Sequence, residues 1–313
     1  MAEVQLLGMT HYPPFGWTND SMAGVMRLIL SDPGIPQEQK DSKNWPEAMR
    51  AEWGDDEGRE SAPLHRAELV AGLDQIREEI ESFNPDLILV WGDDQYENFK
   101  EDLIPPFSVL AYPDRIVHPY QSKLARMFPN YWGESEDFAV EVKGDPKVAK
   151  LLVTKLIERG FDVPYAYTPL HDTELPHAFL NTVLFLDHRR EGFPWPLICM
   201  PINCYGRTVV AAEGLWKPFG EKLDFDPPSP SPWRLMDLGA AVAQILRESG
   251  LRVSIVASSS WSHAFLTDHT WRLRPDTDAD RKLYDALVTS DYSTWRQTTT
   301  EQIQYAGQQE VLN

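Results

Sequence analysis

The sequence encodes an α/β domain with a central, mostly parallel or mixed β-sheet flanked by helices, and three stretches near its start carry that reading. The first is Val4-Gln5-Leu6-Leu7-Gly8-Met9, a strand-length apolar run halted at Thr10, His11 and Tyr12 by two prolines, Pro13 and Pro14. The second is residues 61–83. Ser61 is placed to cap a helix, Pro63 suits its first turn, and Leu69, Leu73, Ile76, Ile80 and Phe83 fall on one helical face. The third is Leu87-Ile88-Leu89-Val90-Trp91, continuously apolar after the helix-breaking Asn84-Pro85, as interior strands of parallel sheets are. Strand, helix, strand in this order makes a right-handed crossover, and ligands of such sheets bind at the carboxyl edge of the strands. His11, His65 and the turn at Asp93, Asp94 and Gln95 are expected to converge there.

The remaining elements follow in order. Residues 16–60, rich in Trp, Asp, Pro and Gly, read as a long insertion with short helices near 21–30 and 45–53, fit to lid a site. Residues 107–112 read as a strand. Asp145-Pro146 opens a helix to 159 with Val148, Leu151, Leu152 and Leu156 on one side. A strand at 163–167 leads into His171, and 179–186 reads as helical. A strand follows at 197–202, a proline-rich surface connection at 221–231, and a helix at 232–247 capped by Ser231. The strand at 251–257 delivers residues 258–263. No repeat or linker divides the chain, so residues 1–313 are expected to form one domain.

Composition removes several function classes. With 48 acidic against 29 basic side chains the formal charge is −19. Such a surface repels phosphate backbones and anionic headgroups, which argues against nucleic acid and membranes as partners. No run of eighteen apolar residues occurs, and the first residues have neither a basic start nor an apolar stretch, so a cytoplasmic location is expected. Cys199 and Cys204, five apart in an apparent strand, should face opposite ways and pack as small apolar groups. Phosphate loops and a Gly-x-Ser-x-Gly elbow are absent, which leaves nucleotide binding and α/β-hydrolase chemistry without support.

Chemistry concentrates in histidines. Three of the eight, His11, His171 and His263, follow predicted strands directly, and imidazole is both the commonest transition-metal ligand and a general base near neutral pH. His177, His188 and His269 are expected behind the site or on the surface. The ordered set of Thr10-His11, Gly92-Asp93-Asp94-Gln95-Tyr96-Glu97-Asn98-Phe99, His171-Asp172-Thr173-Glu174-Leu175-Pro176, Trp261-Ser262-His263 and Gly307-Gln308-Gln309-Glu310 resembles the class III extradiol ring-cleaving dioxygenases, the family of the protocatechuate-type β subunit. The similarity spans almost the whole chain as scattered short motifs.

That resemblance implies Fe(II) held by two histidines and one carboxylate, with a small aromatic substrate of catechol or gallate type and O₂ as reactants. Such N,O ligands suit iron(II), and open positions side by side bring both reactants together. Matched by motif, His11 is the first ligand and Glu310 the carboxylate. His263 is the acid/base and His171 a second polar catalytic group. The family also works as dimers or with a small helical partner subunit. One position departs from the pattern: where the family carries its second iron-ligating histidine, this chain has Gln95, and an amide oxygen is a weaker ligand for iron(II). His65 is expected to supply the missing imidazole, with Asp94, Gln95 and Tyr12 contacting substrate. The altered position keeps two alternatives open: a zinc-dependent hydrolase or lyase, and a non-catalytic binding protein on the same fold.

Overall fold

The computed structural model describes residues 3–121, 125–171, 174–215 and 217–313. Asp172 and Thr173, part of one motif above, lie outside them. In chain order the main elements are β1 (Glu3–Met9), α1 (Gly24–Ser31), α2 (Gln37–Lys40), α3 (Glu47–Trp53), α4 (Ala62–Phe83), β2 (Leu87–Asp93), β3 (Val109–Leu110), β4 (Arg115–Val117), β5 (Val140–Val142), α5 (Pro146–Glu158), β6 (Tyr165–Ala166), α6 (His177–Leu186), β7 (Leu197–Ile202), α7 (Pro232–Glu248), β8 (Arg252–Ser258), α8 (Thr277–Val288), α9 (Tyr292–Gln297) and α10 (Thr300–Tyr305). Prolines open α4, α5 and α7, where a missing N–H costs nothing, and the Asp145 side chain caps α5 by accepting from the Lys147 and Val148 amides. Among the described residues no helix is long and apolar enough to cross a membrane.

Six strands form one mixed sheet in the order β1-β8-β2-β7-β3-β6. The first four are mutually parallel, β3 runs antiparallel to β7, and β6 is parallel to β3. The crossover through α4 therefore does not join neighbours: β8, the last described strand in sequence, slots between β1 and β2. β4 and β5 pair separately as a small antiparallel sheet that no sequence signal announced.

Strand β2 is buried along its whole length, and its side chains alternate between two cores. Leu87, Leu89 and Trp91 join Leu152 and Leu156 of α5 and Leu238 and Val242 of α7. Ile88 and Val90 join Leu73 and Ile80 of α4 and Leu180 and Val183 of α6. The protein is thus a single-domain, three-layer α/β structure. Both cysteines are free and buried. They do sit in opposite cores, but β7 ends at Ile202, so Cys204 belongs to the following turn and not to the strand.

Register fixes where the parallel strands end. Met9 pairs with Ser258 and Trp91 with Ala257, so β1, β8 and β2 stop at nearly one level. The loops carrying His11, Ser260 to His263, and Asp93 to Gln95 leave the sheet side by side, and the closing segment Gln309–Leu312 is packed beside them.

Candidate metal centre and active site

His11 is 1 % exposed, and its orientation is set through the far side of its ring. Nδ1 lies 3.1 Å from the Ser258 hydroxyl, which itself donates to the Ala178 carbonyl at 3.0 Å. With its hydrogen spent there, Ser258 can accept from His11 Nδ1, which leaves Nε2 turned to the interior of the group. Nε2 faces two carboxylates, with Asp93 Oδ1 and Glu310 Oε1 each 3.5 Å away.

Both carboxylates are fully buried. The Ser260 amide donates to Glu310 Oε2 at 2.6 Å, and Tyr205 donates its hydroxyl to Oε1. His263 Nε2 stands 3.1 Å from the same Oε1. Burial alone would raise the Glu310 pKa, but the His11 and His263 imidazoles hold it well below the usual carboxylate range. Asp93 is raised, first by burial and then by the charge of Glu310. Its Oδ1 also accepts a long 3.4 Å contact from the Asn313 amide, and Oδ2 is buried without a hydrogen-bond partner among the described residues.

His177 completes the group. It opens α6, where its backbone amide donates to the Glu97 carboxylate at 3.1 Å and its Nδ1 lies 2.9 Å from Glu97 Oε2. Burial would depress the imidazole, yet Glu97, then Asp93 and Glu310, push it up to about 10. Its ring meets that of His11 edge-on with centroids 5.1 Å apart. Donor atoms of His11, Asp93 and His177 all lie within 4.8 Å of one another.

Two glycines permit this convergence. A Cβ on Gly92 would press on Ala178 and Phe179 at 3.1 Å, so glycine lets the end of β2 approach the start of α6. Gly307, at φ +64°, would place a Cβ 2.4 Å from Thr267 Oγ1 and 2.8 Å from the His263 carbonyl, which accepts from Thr267. The Gly307 carbonyl in turn accepts from the His263 amide at 2.8 Å, fastening the closing segment to the His263 loop.

Above this floor lies a cavity of about 430 Å³, walled by Tyr12, Trp17, Val25, Met26, Ile29, Gln95, Phe265 and Leu273 among others, with His11, His177, His263 and Glu310 at its base. Trp17, Val25, Met26 and Ile29 come from the 16–60 insertion, so that segment supplies one wall. Burial pushes the Tyr12 hydroxyl up to about 12, which keeps it a donor near neutral pH.

The sequence-predicted residues divide accordingly. His11, His263 and Glu310 are brought together, and Gln95 and Tyr12 wall the cavity. Asp94 instead turns back on its own loop, accepting from the amides of Glu97 and Asn98 at 2.9–3.2 Å; burial, then Glu97, raises it to about 7. His65 stays outside the buried group, exposed in the first turn of α4 with its ring edge-on to Tyr12 at 6.0 Å. His171 is also outside it, 30 % exposed, with Nε2 on Asp102 at 2.6 Å. The buried group contains three residues to which the sequence reading gave no ligand or catalytic role. Asp93 was expected at the sheet edge, in the turn with Asp94 and Gln95, but not as a donor. His177 was obscured because the helix was expected to begin two residues later. Tyr205 had no sequence signal.

A donor set of two buried carboxylates and facing imidazole nitrogens, with no Lys or Arg among its described contacts, suits a divalent cation. Two donors 3.5 Å apart can share an ion whose ligand bonds are about 2.0–2.2 Å long. The unpartnered Asp93 oxygen is otherwise costly to bury.

No family model matches the chain. It is similar to proteins named 2,3-dihydroxyphenylpropionate/2,3-dihydroxicinnamic acid 1,2-dioxygenase. The protein of that name from Rhodococcus globerulus is 23 % identical over 200 residues, 63 % of this chain and 50 % of the relative. That from Photorhabdus laumondii is 23 % identical over 189 residues, 60 % of this chain and 46 % of the relative. That from Azotobacter vinelandii is 25 % identical over 197 residues, 63 % of this chain and 50 % of the relative. The chain spans about half the length of these relatives, whose shared name is that of an extradiol ring-cleaving dioxygenase.

Proposed function

We propose that this protein is a non-haem Fe(II)-dependent extradiol dioxygenase that opens a catechol-like ring beside its two hydroxyls with O₂. The observation that carries the reading is the buried meeting of His11, Asp93, His177 and Glu310, of which His11, His177 and Glu310 line the base of a cavity walled by aromatic and apolar side chains. The relatives' name points the same way: on a ring with hydroxyls at carbons 2 and 3, cleavage between carbons 1 and 2 falls outside the diol.

His11 and Glu310 would hold the ion, with Asp93 and His177 as further donors in place of the imidazole that Gln95 cannot supply. A bound Fe(II) would supply neighbouring open positions for a catecholate and O₂ and a redox path between them. The chain's own residues supply the rest. His263 Nδ1 is fixed by the Trp261 carbonyl at 2.9 Å, which holds Nε2 at the base of the cavity. With Nδ1–H held by that carbonyl, Nε2 is the nitrogen left to take the proton of a catechol hydroxyl and return it later. Glu97 fixes the His177 ring through Nδ1 at 2.9 Å, which leaves Nε2 as the nitrogen for the ion. Tyr12 donates a hydrogen bond as a neutral phenol, and Gln95 offers an uncharged amide. The apolar wall excludes water, which would otherwise compete for the open positions.

The test is direct. Protein loaded anaerobically with Fe(II) should bind about one ion per chain and consume O₂ on addition of catechols, with a ring-opened product absorbing in the visible. Well-loaded protein that consumed no O₂ across a broad panel of catechols and gallates would end the ring-cleavage reading.

A further inference from the structure

The cavity constrains the substituent on the ring as well as the ring, an inference that rests on reading it as the catechol site. Its base is polar: His11, His177, His263, Glu310, Ser260 and Ser262. Away from that base the wall is Trp17, Val25, Met26, Ile29, Phe265 and Leu273. Among the described residues that wall it there is neither Lys nor Arg. Gln95 and Phe265 also border a neighbouring cavity that contains Lys217 and Arg272. Arg272 is committed there: it donates to Asp268 at 2.7 Å and to the Lys217 carbonyl at 3.0 Å, and lies over the Phe219 ring at 5.3 Å.

We infer that the substrate is a catechol whose ring substituent is uncharged and apolar, alkyl or aryl, and that a carboxylated side chain is selected against. The catechol hydroxyls belong at the base, where the donors and the His263 imidazole are. A substituent beside them then projects into the wall of Val25, Met26, Ile29, Phe265 and Leu273. A carboxylate there would lose its water with no Lys or Arg among the described wall residues to pair with, which is the costly way to bury a charge. It would also approach a base that already holds two carboxylates, in a chain of net charge −19. A propyl or phenyl group gains from the same wall by simple burial. The relatives are named for acids, so the inference separates this chain from them in specificity.

The probes are 3-propylcatechol and 3-(2,3-dihydroxyphenyl)propionate, which match in length and differ in charge. Dissociation constants are measured by anaerobic calorimetry on the full chain loaded with Fe(II), and O₂ uptake is followed separately. The expected result is tighter binding of the propyl compound by at least about tenfold. Equal binding, tighter binding of the acid, or binding of neither would overturn the inference. Preferential binding of the propyl compound without O₂ uptake would sustain it and take down ring cleavage instead. A second measurement uses Met26→Lys, which puts a cation into the wall at a half-buried position, and is expected to shift the preference toward the acid by about tenfold. A folded variant with an unchanged ratio would show that the wall does not discriminate. Should Met26→Lys fail to fold by its melting transition, Phe265→Lys on the same wall replaces it.

Discussion

Two regions hold histidines with similar sequence credentials, a position just past a strand or at the start of a helix, and the fold treats them oppositely. At the ends of β1, β8 and β2, His11 and His263 are drawn with His177 into one buried group with Asp93 and Glu310. At the rim, His65 and His171 remain accessible, one beside Tyr12 and the other on Asp102. What differs is strand direction and strand order. β6, which precedes His171, lies at the far edge of the sheet, about 24 Å from β1 at ordinary strand spacing. It also runs against β1, β8, β2 and β7, so its end does not aim at their carboxyl edge. His65 is displaced for a different reason. A helix of 22 residues is about 33 Å long and a strand of seven about 23 Å, so α4 outruns the sheet it covers.

The contrast is broken most severely by changes inside the buried group. His11→Ala should abolish stoichiometric iron binding and turnover with it, read by elemental analysis after gel filtration and by O₂ uptake. Asp93→Asn keeps the shape and removes the charge. If Asp93 is a donor, iron affinity should fall by more than the about 10–100-fold that losing an outer partner costs, measured by competition with a chelator. Unchanged affinity would return Asp93 to a merely buried acid. His263→Ala should keep its iron and lose about 10²–10⁴ in turnover, the range for removing a general acid/base. Retained iron separates its role from that of His11.

How much of this was legible from residues alone follows the same division. The first crossover unit was readable because its signals are local: apolar runs of strand length and a stripe of Leu69, Leu73, Ile76 and Ile80 on α4. The insertion of β8 between β1 and β2 was not, since strand order is set by packing of the whole chain, and β8 carries no mark of its neighbours. His11, His263 and Glu310 could be singled out by motif order. His177 could not, because its role depends on Glu97 meeting the first turn of α6 across 80 residues of chain. Asp93 was expected at the sheet edge but given no ligand role beside the more conspicuous Gln95. A carboxylate at the end of an entirely buried strand is nonetheless a signal in its own right, since such a group needs a partner or an ion.

A smaller effect is expected at Gly307, where the comparison concerns shape and not chemistry. Gly307→Ala would force a Cβ into Thr267 and the His263 carbonyl from a left-handed backbone, a strain of about 1–3 kcal/mol. It should lower the melting temperature and reduce turnover by loosening Glu310, with added iron restoring part of the activity.

The smallest expected effect is the sharpest test of the division between buried and rim histidines. His65→Ala and His171→Ala each remove an accessible imidazole, and substitutions at such positions usually change stability by no more than about 0.5 kcal/mol. Iron content should stay near one per chain in both, and turnover within about twofold, the factor that such an energy represents. His171 has the stronger claim to an exception, because its 2.6 Å bond to Asp102 orders both side chains. Loss of that order would appear as a raised KM with kcat intact. A fall in iron content for His65→Ala would mean that the first turn of α4 reaches the ion in solution, and the line between the two regions would have to be redrawn through α4.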